Sequence, residues 1–284
     1  MAFDNLKKDA SERIIIAAHR GECGGNIPCN TLVAYEIALS HGADMIEVDV
    51  TRSIDGTLWI LHPGMEKVHL NYHGPEGASS LPELHDDQIR ELRYVNYDRA
   101  YTQFGLCTFN EVLEQFKGRA YINVDKFWDN PKEISETIRK YGMTDQVLVK
   151  TSPNERNLRM IENFAPDINY MPVCNSSNKD IHFELLKRKI NYVGMEVIFP
   201  DEKDEIASPE WTERLHSDGK LVWVNAIIYD VRHQLSGGHS DDTAFTVSRD
   251  YGWGWLAIRG YDIIQTDWTQ DLALYLDKTG KRYK

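Results

Sequence analysis

The sequence predicts an α/β protein folded as a closed (β/α)8 TIM barrel. Three observations carry that expectation. Short β-branched runs alternate with helical segments about eight times along the chain, a rhythm that implies parallel strands joined by crossover helices. Polar, chemistry-bearing residues fall near the carboxyl ends of the early strands, where such barrels build their sites. The first strand is followed by Gly21-Glu22-Cys23-Gly24-Gly25, which lacks the glycine spacing that an open doubly wound sheet uses to hold a dinucleotide. A barrel of this length counts as one domain, here residues 1–284, with a small insertion after the second strand at about 63–104.

The elements follow in order. Arg13 to His19 is short and β-branched, hence a buried strand. It runs into His19-Arg20-Gly21 and a Gly-rich loop. Asn30-Thr31 caps a helix from Leu32 to Ser40, and Gly42 stops it. The stretch from Ala43 to His62 holds Glu47 and Asp49 two apart in an apolar run. On a strand, both carboxylates then share one face, and Ile46, Val48 and Val50 point the other way into packing. Asp55-Gly56 turns the chain into a second short strand, Thr57 to Leu61, that ends on His62. Residues 63–104 are irregular, with one helix expected from Leu84 to Leu92. Their length suits a lid or wall over the site. Thr108 with Glu111 three on forms a capping box for a helix to Gln115. Ala120 to Phe127 alternates, so Tyr121, Asn123 and Asp125 share a face.

A regular alternation completes the chain. Helices are expected at 131–141, 154–163, 181–188, 209–217 and near 241–258, and strands at 146–150, 169–173, 192–197, 220–226 and 262–266.

The chain of 284 residues carries 32 basic and 44 acidic side chains, a formal net charge of −12. Such a surface repels nucleic acid and anionic membranes, and both are discounted as partners. No run has the length of a signal-peptide core or a membrane span. The expected location is cytoplasmic, with a trimmed secreted form as the alternative. Cys23, Cys29, Cys107 and Cys174 have no zinc spacing. They are read as reduced thiols, with a Cys23–Cys29 disulfide as the lesser possibility. The sequence leaves the oligomeric state open.

Two acids on one strand face repel unless a cation lies between them, and a hard divalent ion with oxygen ligands is the simplest answer. Glu47, Asp49 and Asp125 can converge from neighbouring strands, with His19 and His62 beside them and Lys150 ending the next strand. Two imidazoles, three carboxylates and a lysine suit phosphoryl chemistry. Arg20 and Lys150 are candidate phosphate binders. Glu196, near a later strand end, is a candidate substrate-binding residue, with a structural hydrogen-bonding role as the alternative, and of Trp223 and Asn225 the polar Asn225 is favoured to face inward and bind substrate. Asp267 is read as a helix cap. His69 and His73 have an i, i+4 spacing but no third partner, so they are not taken as zinc ligands.

His-Arg-Gly (19–21), Pro-x-Asn-Thr (28–31), Gly-Ala-Asp-x-Ile-Glu-x-Asp-Val (42–50), Asp-Gly (55–56), His62, and Gly-Tyr-Asp-Ile-Ile-Gln-Thr-Asp (260–267) occur in one order along nearly the whole chain. The set resembles the glycerophosphodiester phosphodiesterase family. The resemblance implies a barrel that hydrolyses a small-molecule glycerophosphodiester to glycerol 3-phosphate and an alcohol. It implies His19 and His62 as the acid–base pair, and Glu47, Asp49 and Asp125 as ligands of magnesium or calcium. A lyase that stops at a cyclic phosphate and a non-catalytic binder are the alternative readings. The sequence departs from the family pattern where Cys29 replaces a Glu and Pro63 an Asp. The usual Glu-x-Lys of the third strand is Asp125-Lys126-Phe127. Lys126, one place early, is expected to point outward from a regular strand, and Lys150 to supply the missing phosphate contact. A fourth departure is Trp223-Val224-Asn225 in place of the usual Trp-Thr.

Overall fold

The computed structural model describes residue 3 and residues 5–71 and 80–284. Among these residues nine strands form one sheet: β1 (Ile15–Ala18), β2 (Met45–Arg52), β3 (Leu58–Ile60), β4 (Tyr121–Asp125), β5 (Val147–Thr151), β6 (Asn169–Cys174), β7 (Gly194–Val197), β8 (Leu221–Asn225) and β9 (Ile263–Thr266). β1 pairs in parallel with both β2 and β9, so eight parallel strands close into a barrel. An open sheet would leave two free edges. β2 outlasts the barrel, and its far end, Val50 to Arg52, pairs antiparallel with β3.

Strand alternation builds two layers. Ile46, Val48, Val50, Ile122, Val124, Val147 and Val149 point outward, against Phe109, Val112, Phe116, Ile134 and Ile138 of the surrounding helices. Val222, Val224 and Ile264 do the same against Trp211, Leu215 and Leu272. Inside, Ile15, Ala17, Met45, Tyr121, Leu148, Met171 and Trp223 plug the barrel. The larger of these, such as Ile15, Met45, Leu148 and Met171, contribute roughly 1.5–3 kcal/mol each by leaving water. A helix over Leu6–Glu12, which the polar start of the chain does not signal, closes the floor with Leu6 and Ala10. Barrel closure is pinned at Asp44, whose carboxylate accepts from Arg13 Nε at 3.1 Å, Arg282 Nη2 at 2.6 Å and the Ile16 amide at 3.0 Å.

The helices at Leu32–Ser40, Pro131–Tyr141 and Pro209–Ser217 match the sequence expectation, and the Thr108–Glu111 capping box starts Phe109–Phe116. The helix expected near 241–258 is instead broken into Asp241–Thr246, a π turn over Asp250–Gly254, and Trp255–Ile258. The break folds Gly252 onto Ala244, so closely that a Cβ there would lie 2.7 Å from the Ala244 nitrogen.

Residues 72–79 of the insertion expected to form a lid or wall lie outside the described residues. None of its described residues lines the central cavity. It packs beside β3 on its own small core of Trp59, Leu61, Leu70, Leu81, Leu84, Ile89 and Tyr94, with its main helix at Asp86–Glu91. The antiparallel turn into β3 leads the chain to the barrel's flank. From there the insertion buttresses the site, through Tyr94, whose hydroxyl lies 3.3 Å from the carbonyl oxygens of Asn30 and Ile60.

Candidate active site

At the carboxyl end of the barrel, the register sets Glu47 beside Asn123 and Asp49 beside Asp125. One oxygen each of Glu47, Asp49 and Asp125 lies within 4.8 Å of the others. Glu47 and Asp49 are buried. Burial, and then the charge of Asp49, push the Glu47 carboxyl up to about 8. Asp49 Oδ2 accepts from Asn30 Nδ2 at 2.8 Å and lies 3.1 Å from Arg20 Nε. Asp49 Oδ1 is buried with no hydrogen-bond partner. A buried acceptor without a donor is costly. Three converging carboxylates with a free oxygen are therefore a fitting cradle for a hard divalent cation. The cluster can hold a metal.

The loop after β1 frames this cluster. Arg20 (φ 57°) and Asn30 (φ 57°) both adopt the left-handed conformation. The Arg20 amide donates to Glu47 Oε2 at 2.8 Å, and the Asn30 amide to the Arg20 carbonyl at 2.9 Å. Gly21 is required here, because a Cβ would sit 2.8 Å from the Ala34 carbonyl carbon. Cys23 and Cys29 are joined in a disulfide, contrary to the reduced thiols expected. Reciprocal backbone hydrogen bonds between Gly24 and Ile27 fold the loop back and bring the two Cα atoms to 5.0 Å. Cys107 and Cys174 are free and buried. With Cys29 in place of a carboxylate, Arg20 finds its acid on Asp49 instead.

The two histidines have different partners. His19 Nδ1 lies 2.8 Å from Asp267 Oδ1. Burial pulls its pKa down, but the Asp267 hydrogen bond and the charge of Glu47 outweigh this and raise it. His62 Nδ1 lies 2.9 Å from the carbonyl of Pro63, its own neighbour. Burial chiefly lowers its pKa. Asp267 is thus not the helix cap read from sequence; the last helix, Thr269–Lys278, starts from Trp268 without a side-chain cap. Asp267 is held in turn by its amide, which donates at 2.8 Å to the buried Asp241.

Lys126 also departs from its expected place. The strand ends at Asp125, and Lys126 takes a left-handed conformation with φ 59° and ψ 22°. Its ammonium swings back into the cavity, 2.7 Å from Asp125 Oδ2, while Phe127 enters the core. Across the barrel, Lys150 Nζ lies 2.6 Å from Glu196 Oε2 and 3.9 Å from the centroid of the Trp223 ring. Asn225 Nδ2 donates to Glu196 Oε1 at 2.7 Å, and Trp223 Nε1 to Asn225 Oδ1 at 3.0 Å. Both Trp223 and Asn225 therefore face inward, as residues two apart on a strand do.

A cavity of about 930 Å³ joins these groups. His19, Arg20, Glu47, His62, Asp125 and Lys126 line one side, and Lys150, Glu196 and Asn225 the other, with Asp49 beneath. Asn123, wholly buried, faces the cavity with neither side-chain polar atom bonded. His69 lies on a short helix away from the lining, and His73 lies outside the described residues. Sequence reasoning missed Asp267 as the partner of His19, Asn30 as a partner of Asp49, and the inward turn of Lys126. Asp267 directly follows the last strand, so the sequence could place it at the barrel mouth but not beside His19.

Comparison with known proteins agrees with this picture. A family model described only as a domain of unknown function matches residues 170–276. The chain is 26% identical over 164 residues to a glycerophosphodiester phosphodiesterase of Caldanaerobacter subterraneus, covering 55% of this chain and 65% of that protein. It is 30% identical over 165 residues to one of Bacillus altitudinis, covering 54% and 63%. The chain thus spans just under two thirds of these relatives' length. The same barrel occurs in a glycerophosphoryl diester phosphodiesterase of Parabacteroides distasonis, with TM-score 0.77, 15% identity and coverage of 100% and 97%. It also occurs in an Oleispira antarctica phosphodiesterase in complex with the product sn-glycerol-3-phosphate, with TM-score 0.67, 17% identity and coverage of 93% and 97%. In distant sequence homology and in its barrel, this chain is similar to proteins of the glycerophosphodiester phosphodiesterase family.

Proposed function

We propose that the protein is a metal-dependent phosphodiesterase that hydrolyses glycerophosphodiesters to glycerol 3-phosphate and an alcohol. The observation that carries this reading is the acid triad, with Glu47 and Asp49 buried, at the cavity that two differently partnered histidines line. The product seen in the Oleispira antarctica relative supports glycerol 3-phosphate as the phosphate-bearing product here.

Glu47, Asp49 and Asp125 would hold magnesium or calcium. When bound, the cation neutralises charge on the phosphate and fixes its position. The chain's own groups do the proton work. The Pro63 carbonyl keeps a proton on His62 Nδ1 and leaves Nε2 with a lone pair, which suits it to accept a proton from attacking water. Asp267 favours the doubly protonated ring of His19, which suits it to give a proton to the departing alcohol oxygen. A bond forms from water oxygen to phosphorus, the bond from phosphorus to the alcohol oxygen breaks, and the net proton passes from water to alcohol. A disulfide beside the site favours an oxidising compartment over the cytoplasm; thiol labelling of protein taken from its own cells checks this.

The test is product release from a panel of glycerophosphodiesters, with magnesium, with calcium and with chelator. Chelator-sensitive glycerol 3-phosphate, lost in Glu47→Gln, supports the reading, and the best substrate names the alcohol. An accumulating cyclic phosphate replaces it with the lyase reading. Metal binding without turnover replaces it with a binding protein.

A further inference from the structure

Backbone strain in this molecule is concentrated around the acid cluster. Among the described residues, four that are not glycine have positive φ: Arg20, Asn30, Arg99 and Lys126. Arg20 and Asn30 are the two residues whose side chains meet Asp49. Lys126 follows Asp125 directly. A left-handed lysine persists only where its surroundings over-determine it, and such outliers cluster at functional sites.

The consequence of the strain at Lys126 is specific. Had the strand run on, Lys126 would have left the site and Phe127 would have taken the inward place. The left-handed turn exchanges them. Phe127 is fully buried among Ile122, Val124 and Ile134. The Lys126 ammonium faces the cavity at 2.7 Å from Asp125. Lys150, the other lysine of the cavity, is already matched. It is buried, paired with Glu196 at 2.6 Å, and lies over Trp223. To contact a phosphate it would have to leave its buried carboxylate without a partner, a costly exchange.

We infer that Lys126, and not Lys150, is the phosphate-anchoring lysine of this site, brought there by the left-handed turn that ends β4. This rests on the phosphodiesterase reading above. With the Asp125 oxygens turned toward a cation, the Lys126 ammonium is left to donate to a non-bridging phosphate oxygen. Lys150 belongs to the fixed wall that Glu196, Asn225 and Trp223 complete.

The experiment compares wild type, Lys126→Met, Lys126→Gly and Lys150→Met in two assays: steady-state turnover of the best glycerophosphodiester, and the rise in unfolding midpoint caused by inorganic phosphate in the presence of magnesium or calcium. Lys126→Met should lose at least a hundredfold in kcat/KM and lose the phosphate-induced rise. Lys126→Gly relieves the backbone strain, so it should match or exceed the wild-type midpoint without phosphate while losing the same activity. That combination separates a ligand-binding role from a structural one and stands even if Lys126→Met folds poorly. Lys150→Met should lower the midpoint yet keep the phosphate-induced rise. Lys126 variants within threefold of wild type in turnover, or a phosphate response lost in Lys150→Met and kept in Lys126→Met, overturn the inference. If wild type lacks turnover but responds to phosphate through Lys126, the reaction assignment fails and the anchoring role stands. Wild type that shows neither overturns both.

Discussion

The two sides of the barrel mouth are built on opposite principles. The side formed by β1, β2 and β4 gathers Glu47, Asp49 and Asp125, leaves one Asp49 oxygen without a partner, and strains its backbone at Arg20, Asn30 and Lys126. The side formed by β5, β7 and β8 closes on itself, with Lys150, Glu196, Asn225 and Trp223 linked in a chain of bonds. The first side is costly without a ligand, and the second has balanced charge before any ligand arrives. Damage to the first should therefore appear mainly in rate, and damage to the second mainly in stability.

His19→Ala is the largest expected effect. It should lose about a thousandfold or more in kcat with an alkyl alcohol as leaving group, while the circular dichroism spectrum is unchanged. With a nitrophenyl leaving group, which departs without a proton, the loss should shrink to less than tenfold. An equal loss with both substrates would remove His19 from the role of acid. On the opposite side, Glu196→Gln leaves Lys150 buried without its counter-charge and should cost about 3 kcal/mol in denaturant unfolding. If it instead lost rate at full stability, the contrast between the two sides would break.

Asp267→Asn tests the seam between them. It keeps the hydrogen-bonding shape but removes the charge behind His19, and a roughly ten- to hundredfold fall in kcat is expected. The smallest effect on rate is expected from the double variant Cys23→Ser with Cys29→Ser. Opening so short a loop should cost about 2 kcal/mol of stability. The rate should remain within threefold of wild type, because Arg20 and Asn30 are also held by their own hydrogen bonds. A larger fall would make the disulfide part of what aligns Asp49.

How much of this was legible in the sequence depends on the range of the contact. Pro131 and Pro209 begin their helices, and Gly142 and Gly219 end the turns that follow, so local chemistry sufficed there. The Glu47/Asp49 pair was legible because strand alternation fixes a shared face, and the same rule should have put Trp223 and Asn225 together. The rule misled at Lys126 because the strand stops two residues earlier than the pattern suggests. The helix near 241–258 was expected as one element, and it is broken where a π turn runs over Asp250–Gly254. Nothing local shows that Asp267 reaches His19 across 248 residues, or that Gly24 and Ile27 fold Cys23 onto Cys29.

The pairing of β1 with β9 also orders events in time. During synthesis, β1, β2 and β4 emerge early, and they carry every carboxylate of the acid triad. β9 emerges last of the nine, and with it the neighbour that covers the open side of β1. Contacts that close so long a loop are slow to form. The strands that carry the acid triad are thus made before the segment that sets Asp267 beside His19. In that interval β1 presents an unpaired hydrogen-bonding edge of four consecutive buried-type residues, Ile15 to Ala18. Such an edge invites another chain. The half-made barrel leaves this edge open, and the pairing of β9 with β1 covers it.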